Sequence, residues 1–235
     1  MTTTSPFDDD VKIHGSYQYT KAEILSARVS NSRITKEIAL ATDFKNKTVL
    51  DIGCGDGKYS FELFNIVEPK HLLGIDPASL AIDHANQYYA KSNLSFSCDT
   101  TDTIITKGLH FDIAVLRGVL HHADKYPLLI EHAHKIADIV IILEPNGWNP
   151  ILKIIEKISP YHIAHKERSF FVETLEKEIR NSQGVVKKKY FFGLVPFFCP
   201  NFLVPLLVFL QPIVERLPLI RRVGCGQVLI ISKKR

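Results

Sequence analysis

Cysteine is scarce in this chain, and the few present stand apart. Cys54, Cys98, Cys199 and Cys225 are spread over 235 residues with no CxxC pair. That spacing excludes a disulfide framework and a zinc ribbon. The N-terminus, MTTTSPFDDD, has neither the basic region nor the apolar run of a signal peptide, so the expected compartment is the cytoplasm. There is no internal repeat, no low-complexity tract and no phosphate-binding GxxxxGK[ST] loop. Hydrophobic residues at 46% and charged residues at 23% exclude wholesale disorder. A chain of this length can bury about 70% of its unfolded surface, so a single large domain needs no covalent staples.

Charge is unevenly placed. The net charge is +4, but residues 151–235 carry +9 and the preceding 150 residues carry −5. Such asymmetry implies that the C-terminal part faces something anionic.

Residues 1–14 read as a mobile tail and 15–235 as one domain. Between Tyr17 and about Ala41, the apolar positions Ile24, Leu25, Val29, Ile34, Ile38 and Leu40 predict one or two amphipathic helices, within an N-terminal helical segment 15–44. Short β-rich runs then alternate with helical stretches. Thr48–Ile52, Leu72–Ile75, Leu94–Phe96, Ile113–Leu116 and Ile139–Leu143 read as strands. Gly57–Ile66, Ser79–Lys91 and Tyr126–Ala137 read as the helices between them. The alternation predicts an α/β fold with a doubly wound parallel sheet, whose ligands bind beyond the carboxyl ends of the strands. After Leu143 it stops: Val172–Asn181 reads as a helix, and Val185–Phe192 and Gln227–Ser232 as strands.

The first strand runs into a glycine-rich turn, Asp51-Ile52-Gly53-Cys54-Gly55-Asp56-Gly57. Gly53 and Gly55 let a ligand approach the backbone closely, and Gly57 opens a helix whose free amides face it. The second strand ends at Asp76, 25 residues after Asp51, where a carboxylate can accept both hydroxyls of a ribose. Asp99, followed by Thr100, comes after the third strand, where an adenine amino group can be met. The GxGxG spacing differs from the dinucleotide pattern GxGxxG.

These residues resemble the cofactor motifs of class I S-adenosylmethionine-dependent methyltransferases over about residues 45–145. The resemblance implies a Rossmann-like, mainly parallel seven-stranded sheet with its last strand antiparallel. It also implies S-adenosyl-L-methionine as cofactor. Asp51, Gly53, Cys54, Gly55 and Gly57 would hold the methionine end, Asp76 the ribose, and Asp99 with Thr100 the adenine. Pro77 stands where the family often packs an apolar residue against the adenine. Leu120-His121-His122, after the fourth strand, resembles the small-molecule branch, which includes quinone-biosynthesis enzymes. No [NDS]PP[YFW] tetrapeptide of base N-methyltransferases is present. Arg117 has two readings: a contact to the cofactor carboxylate or an acidic substrate, or a salt bridge to an aspartate such as Asp112.

Methylating a hydroxyl requires a general base, usually histidine. Adjacent His121 and His122 point differently, so one of them is expected to face the pocket. Glu144 is expected at the end of the fifth strand, followed by a turn at Pro145, Asn146 and Gly147. That stretch is similar to methyltransferases of cell-surface polysaccharide and lipid biosynthesis. The segment Tyr161–Arg168 is dense in titratable groups and reads either as a substrate loop with His162 or His165 as base, or as an exposed polar loop. No metal is assigned, since no carboxylate ligand set accompanies these histidines. His132 and His134 are expected on different faces of a helix at the surface. Trp148 reads equally as pocket lining and as packing.

Phe191–Val214 is 24 residues without a charge, long enough to span a membrane. Four prolines, Pro196, Pro200, Pro205 and Pro212, oppose a continuous helix, and a final strand must return to the sheet. An interfacial element fits better, with a short helix capped by Asn201 and carrying Pro205 in its first turn. Lys187, Lys188, Lys189, Arg216, Arg221 and Arg222 flank the run. Docking on an anionic membrane surface through 187–222, a dimer interface and a lid over the pocket are its three readings. The expected activity is transfer of a methyl group to oxygen on a small-molecule or lipid-linked acceptor, a saccharide or quinone-like compound, at the inner membrane face. An RNA methyltransferase and a non-catalytic partner subunit are the alternatives. Nucleic acid is the weaker partner because the basic residues interleave with apolar ones, not with stacking aromatics.

Overall fold

The computed structural model describes residues 24–159 and 168–235. The expected tail 1–14, part of the N-terminal helical segment, and His162 and His165 lie outside the described residues. Helix α1 (Leu25–Ala39) precedes an alternation of β1 (Thr48–Ile52), α2 (Lys58–Val67), β2 (His71–Ile75), α3 (Ser79–Tyr88), β3 (Leu94–Ser97), α4 (Thr101–Thr106) and β4 (Phe111–Arg117). A 3₁₀ turn, Leu120–His122, leads to α5 (Tyr126–Ile136) and β5 (Ala137–Pro145). Then follow α6 (Pro150–Ile158), α7 (Val172–Asn181), β6 (Gly184–Phe192), α8 (Val204–Arg216), α9 (Pro218–Gly224) and β7 (Gln227–Lys234).

The seven strands lie in the order β3-β2-β1-β4-β5-β7-β6, with β7 antiparallel to both its neighbours and the rest parallel. This is the expected Rossmann-like sheet. The order reverses between β1 and β4, so the loops leaving those strands diverge and open a crevice.

Strand parity sorts the core into two layers, because successive side chains point to opposite faces. Leu50, Leu116, Ile142 and Ile230 face α4, α5 and α7. Val49, Val115, Ile141 and Leu229 face α1, α2 and α3. A third, smaller cluster joins Val195, Cys199 and Val204 to Leu25 and Val29 of α1.

Several local expectations are corrected. Helices α4, α6 and α9 are present beyond those expected from the sequence; Thr100 caps α4 and Asn149 caps α6 through side-chain oxygens. Asn201 does not cap α8. That helix begins at Val204 with no side-chain cap bond, and Pro205 does sit in its first turn. Pro212 lies inside α8, on its exposed side. His132 and His134 point apart as expected, but both are buried, because neighbours cover both flanks of α5. His132 Nδ1 meets Thr101 Oγ1 at 2.9 Å, and His134 Nε2 meets Ser232 Oγ on β7 at 2.9 Å. Burial holds the His134 pKa below its ordinary value.

Asn146, fully buried just after β5, closes the C-terminal half onto the sheet. Its Nδ2 donates to the carbonyls of Arg222 and Cys225, both at 2.8 Å. Replacing it removes both bonds, leaving the Cys225 carbonyl only the longer 3.3 Å bond from Asn149 Nδ2. Asn146→Ala is expected to cost about 1–3 kcal/mol, read as a lower urea midpoint at unchanged slope.

Candidate active site

The loop after β1 is built on left-handed glycines. Gly53, Gly55 and Gly57 have φ of 76°, 56° and 82°, a region where a side chain is strained. Gly57 also has no room for one: an added Cβ would lie 2.6 Å from Ala85 Cβ. The loop is bound to the end of β2, with Gly53 N and Cys54 N donating to the Ile75 carbonyl.

Asp76 stands at that strand end. Its Oδ2 accepts from Gly55 N at 3.0 Å and its Oδ1 from Ala78 N at 2.9 Å. The carboxylate is therefore oriented by two backbone amides beside the glycine loop, with Pro77 next to it. Asp99 accepts from Ser97 Oγ at 2.6 Å and Lys107 Nζ at 2.9 Å, which hold its pKa below the ordinary carboxylate value. An oriented carboxylate at the end of β2, a left-handed glycine loop and an acid after β3 stand together at the carboxyl edge of the sheet.

Asp51 is deeply buried and accepts from Ser60 Oγ on α2 at 2.6 Å. Burial pushes its carboxyl from an ordinary 3.8 up to about 6, against the opposing pull of Ser60 and of Arg117. Arg117 is the expectation the structure corrects most clearly. It does not pair with Asp112. Asp112 is near the start of β4, five residues away, which is about 17 Å along a strand. It pairs there with Lys47 and accepts from Thr48 N. Arg117 instead reaches back to α1, donating to Thr35 Oγ1 at 2.8 Å and to Asn31 Oδ1 at 3.1 Å. Its guanidinium lies 3.9 Å from the Tyr59 ring centroid. Asn31, Thr35 and Tyr59 were not singled out from the sequence. No short-range signal marks them, since the partners on α1 lie more than eighty residues upstream.

Beyond β4 lies a second polar constellation. Glu144, fully buried at the end of β5, accepts from Leu120 N at 2.7 Å through Oε1. Its Oε2 meets His121 Nδ1 at 2.7 Å. His122 stacks on His121 with ring centroids 3.9 Å apart. The structure thus brings His121, His122 and Glu144 together. Arg168, in the same loop cluster, donates to the carbonyls of Leu120 and Ala123. Trp148 is neither pocket-buried nor core: it donates to Glu173, meets Phe171 edge-on at 4.9 Å, and lies under Arg222 at 4.4 Å. Among the described residues, no group of three or more ligating side chains could hold a metal ion.

With this geometry in place, the class is defined: a Rossmann-like sheet carrying a glycine loop and acidic strand ends at its carboxyl edge. A methyltransferase-domain family model matches residues 25–161, and the chain belongs to that family, the class I S-adenosylmethionine-dependent methyltransferases. It is 32% identical over 82 residues to a tRNA U34 carboxymethyltransferase of Campylobacter fetus, covering 34% of this chain and 29% of that protein. It is 31% identical over 106 residues to a ubiquinone biosynthesis O-methyltransferase of Bartonella tribocorum, covering 44% of this chain and 40% of that one. The chain therefore aligns with less than half the length of either relative. The magnesium protoporphyrin IX methyltransferase of Synechocystis, solved with bound S-adenosylmethionine, superposes over 100% of both chains with a TM-score of 0.62 at 12% identity.

The elevated Asp51 pKa has a signed consequence. The folded carboxyl titrates near 6 and the unfolded one near 3.8, so the native state binds this proton more tightly. Its contribution to stability is present below the unfolded value and is lost as pH rises through about 6, by up to about 3 kcal/mol. In the cofactor-free protein, Asp51→Asn should therefore gain on wild type between about pH 4 and 6, measured by urea unfolding at each pH.

Proposed function

We propose that this methyltransferase acts on an oxygen nucleophile of a small-molecule or lipid-linked acceptor, a saccharide or quinone-like compound, met at a membrane surface. The observation that carries the reading is the His121–Glu144 pair. When bound, S-adenosylmethionine supplies an electrophilic methyl group. What the chain must add is alignment of the acceptor and removal of its proton.

Glu144 is positioned for that task. The Leu120 amide holds one of its oxygens, so the carboxylate cannot swing, and the other oxygen accepts the His121 Nδ1 hydrogen. The imidazole is thereby fixed in the tautomer whose lone pair is on Nε2. Nε2 takes the acceptor hydroxyl's proton, and buried Glu144 stabilises the imidazolium that forms. On the cofactor side, Asp76 accepts the ribose hydroxyls, and Asp51 with the glycine loop receives the methionine end. Asp99 and Thr100 lie toward the adenine. Arg117 positions α1 and Tyr59 over that end and has no need to touch the acceptor.

A second reading, an RNA acceptor, is favoured by the identity to tRNA carboxymethyltransferases and by the exposed Lys187–Lys189 run on β6. The two are separated by transfer of labelled methyl to a fractionated extract. Label in the organic phase supports the first reading; nuclease-sensitive label supports the second and overturns the first. Two variants test the residue roles. Asp76→Ala should weaken S-adenosylmethionine binding about ten- to a hundredfold by calorimetry, through loss of charge-assisted hydrogen bonds. His121→Ala should lower kcat about 10²–10³-fold with cofactor affinity retained. A small kcat effect would remove His121 from the role of base.

A further inference from the structure

The inward side of helix α8 is mixed: Val204 and Leu207 join the apolar cluster with α1, while Gln211 Oε1 accepts from Leu194 N at 3.1 Å and Glu215 Oε1 accepts from Gly193 N at 2.9 Å. Helix α1 holds α8 and the segment leading into it. Ser26 Oγ donates to the Phe197 carbonyl, Ser30 Oγ to the Val195 carbonyl, and Arg33 pairs with Glu215 at 2.9 Å. The outward side is apolar. Phe202 is 79% exposed, Leu206 53%, Phe209 72% and Ile213 52%, at spacings of four, three and four residues that form one stripe. A soluble surface helix carries polar residues on its outer side, and an apolar stripe of this extent marks an interaction face.

Basic side chains flank α8. Arg28 and Lys36 of α1 are exposed along the groove between α1 and α8, which Val29, Val208 and Gln211 also line, and Arg216 is exposed at the end of α8. Glu37 and Glu215 both pair with Arg33, so this triad sets about one negative charge against the three cations. Helix α9 continues the surface with Leu219, 83% exposed, and Ile220. Asn146, two residues beyond Glu144, holds α9 by its Arg222 carbonyl. The apolar face is therefore joined rigidly to the carboxyl end of β5, where the catalytic pair sits. No described helix is long and apolar enough to cross a membrane.

We propose that the α8–α9 face docks on an anionic lipid bilayer, with the Phe202–Ile213 stripe inserted at the headgroup level and Arg28, Lys36 and Arg216 against lipid phosphates. Charge complementarity selects this occupant: an aliphatic and phenyl stripe inside a ring of long cations fits a surface that is apolar beneath and anionic above. The inference deepens the acceptor reading and rests on it only in supposing that the acceptor is itself dissolved in that bilayer.

The test is co-sedimentation of the full chain with phosphatidylcholine vesicles, with and without phosphatidylglycerol, alongside calorimetric S-adenosylmethionine binding. Wild type should pellet with the anionic vesicles and much less with neutral ones, and added salt should weaken the binding. Phe202→Ser with Phe209→Ser should lower the partition coefficient about tenfold or more, and Arg28→Glu with Lys36→Glu should remove the preference for phosphatidylglycerol. Both variants should bind cofactor as wild type does, which shows that they are folded. Absence of wild-type pelleting at low salt overturns the proposal. A wild-type dimer in sedimentation velocity that the phenylalanine variant dissolves also overturns it, and assigns the face to a second copy. Vesicle binding without methyl transfer to any lipid extract leaves docking standing and removes only the acceptor reading.

Discussion

Two carboxylates are buried at the carboxyl edge of an otherwise apolar sheet, and much of the surrounding architecture answers to that burial. Asp51 ends β1 on one face and Glu144 ends β5 on the other, with β4 between them. An ionised group taken out of water must be hydrogen-bonded or paired. Ser60 from α2 satisfies Asp51, and the Leu120 amide with His121 satisfies Glu144. Each solution anchors a loop: the glycine turn after β1, and the Leu120–His122 turn after β4. The demand for partners thus becomes the geometry of the site.

Arg117 is the cation at this edge. Full burial pulls its pKa below the ordinary value, while Tyr59 and Asp51 hold it up. Its hydrogen bonds run to Thr35 and Asn31, so the field at Asp51 and the placement of α1 are one interaction. The same helix carries Ser26 and Ser30, which bond the segment before α8, and Arg33, which pairs with Glu215 of α8. A single element therefore spans from buried Arg117 to the apolar outer face. Charge in the interior and apolar surface outside are linked through fifteen residues.

The cofactor half was largely readable from the chain. The alternation of β-rich and helical runs between Thr48 and Leu143 gave the strand order its parallel character, and the glycine turn with Asp76 and Asp99 located the cradle. These are signals of local spacing, and backbone geometry makes local spacing decisive: a strand has period two, a helix 3.6, and a left-handed turn wants glycine. The pairing of His121 with Glu144 joins two residues each named separately. The missed features are of a different kind. His132 and His134 carry no mark of burial in their own neighbourhood, because elements distant in sequence cover them. Thr35 and Asn31 are ordinary helix residues until Arg117 is folded against them.

By itself, the sequence determined the fold class and the cofactor, since each is encoded within a few residues or in a motif of fixed spacing, while it left His121, His122, Glu144, His162 and His165 as open candidates for the base. Only the tertiary structure decided which partners the buried charges take and which way α8 turns. The chain Phe191–Val214 is apolar on nearly every side, so periodicity could not choose its inner face. Gln211 and Glu215 chose it, because the amides of Gly193 and Leu194 needed acceptors in the fold and the apolar stripe was left outside.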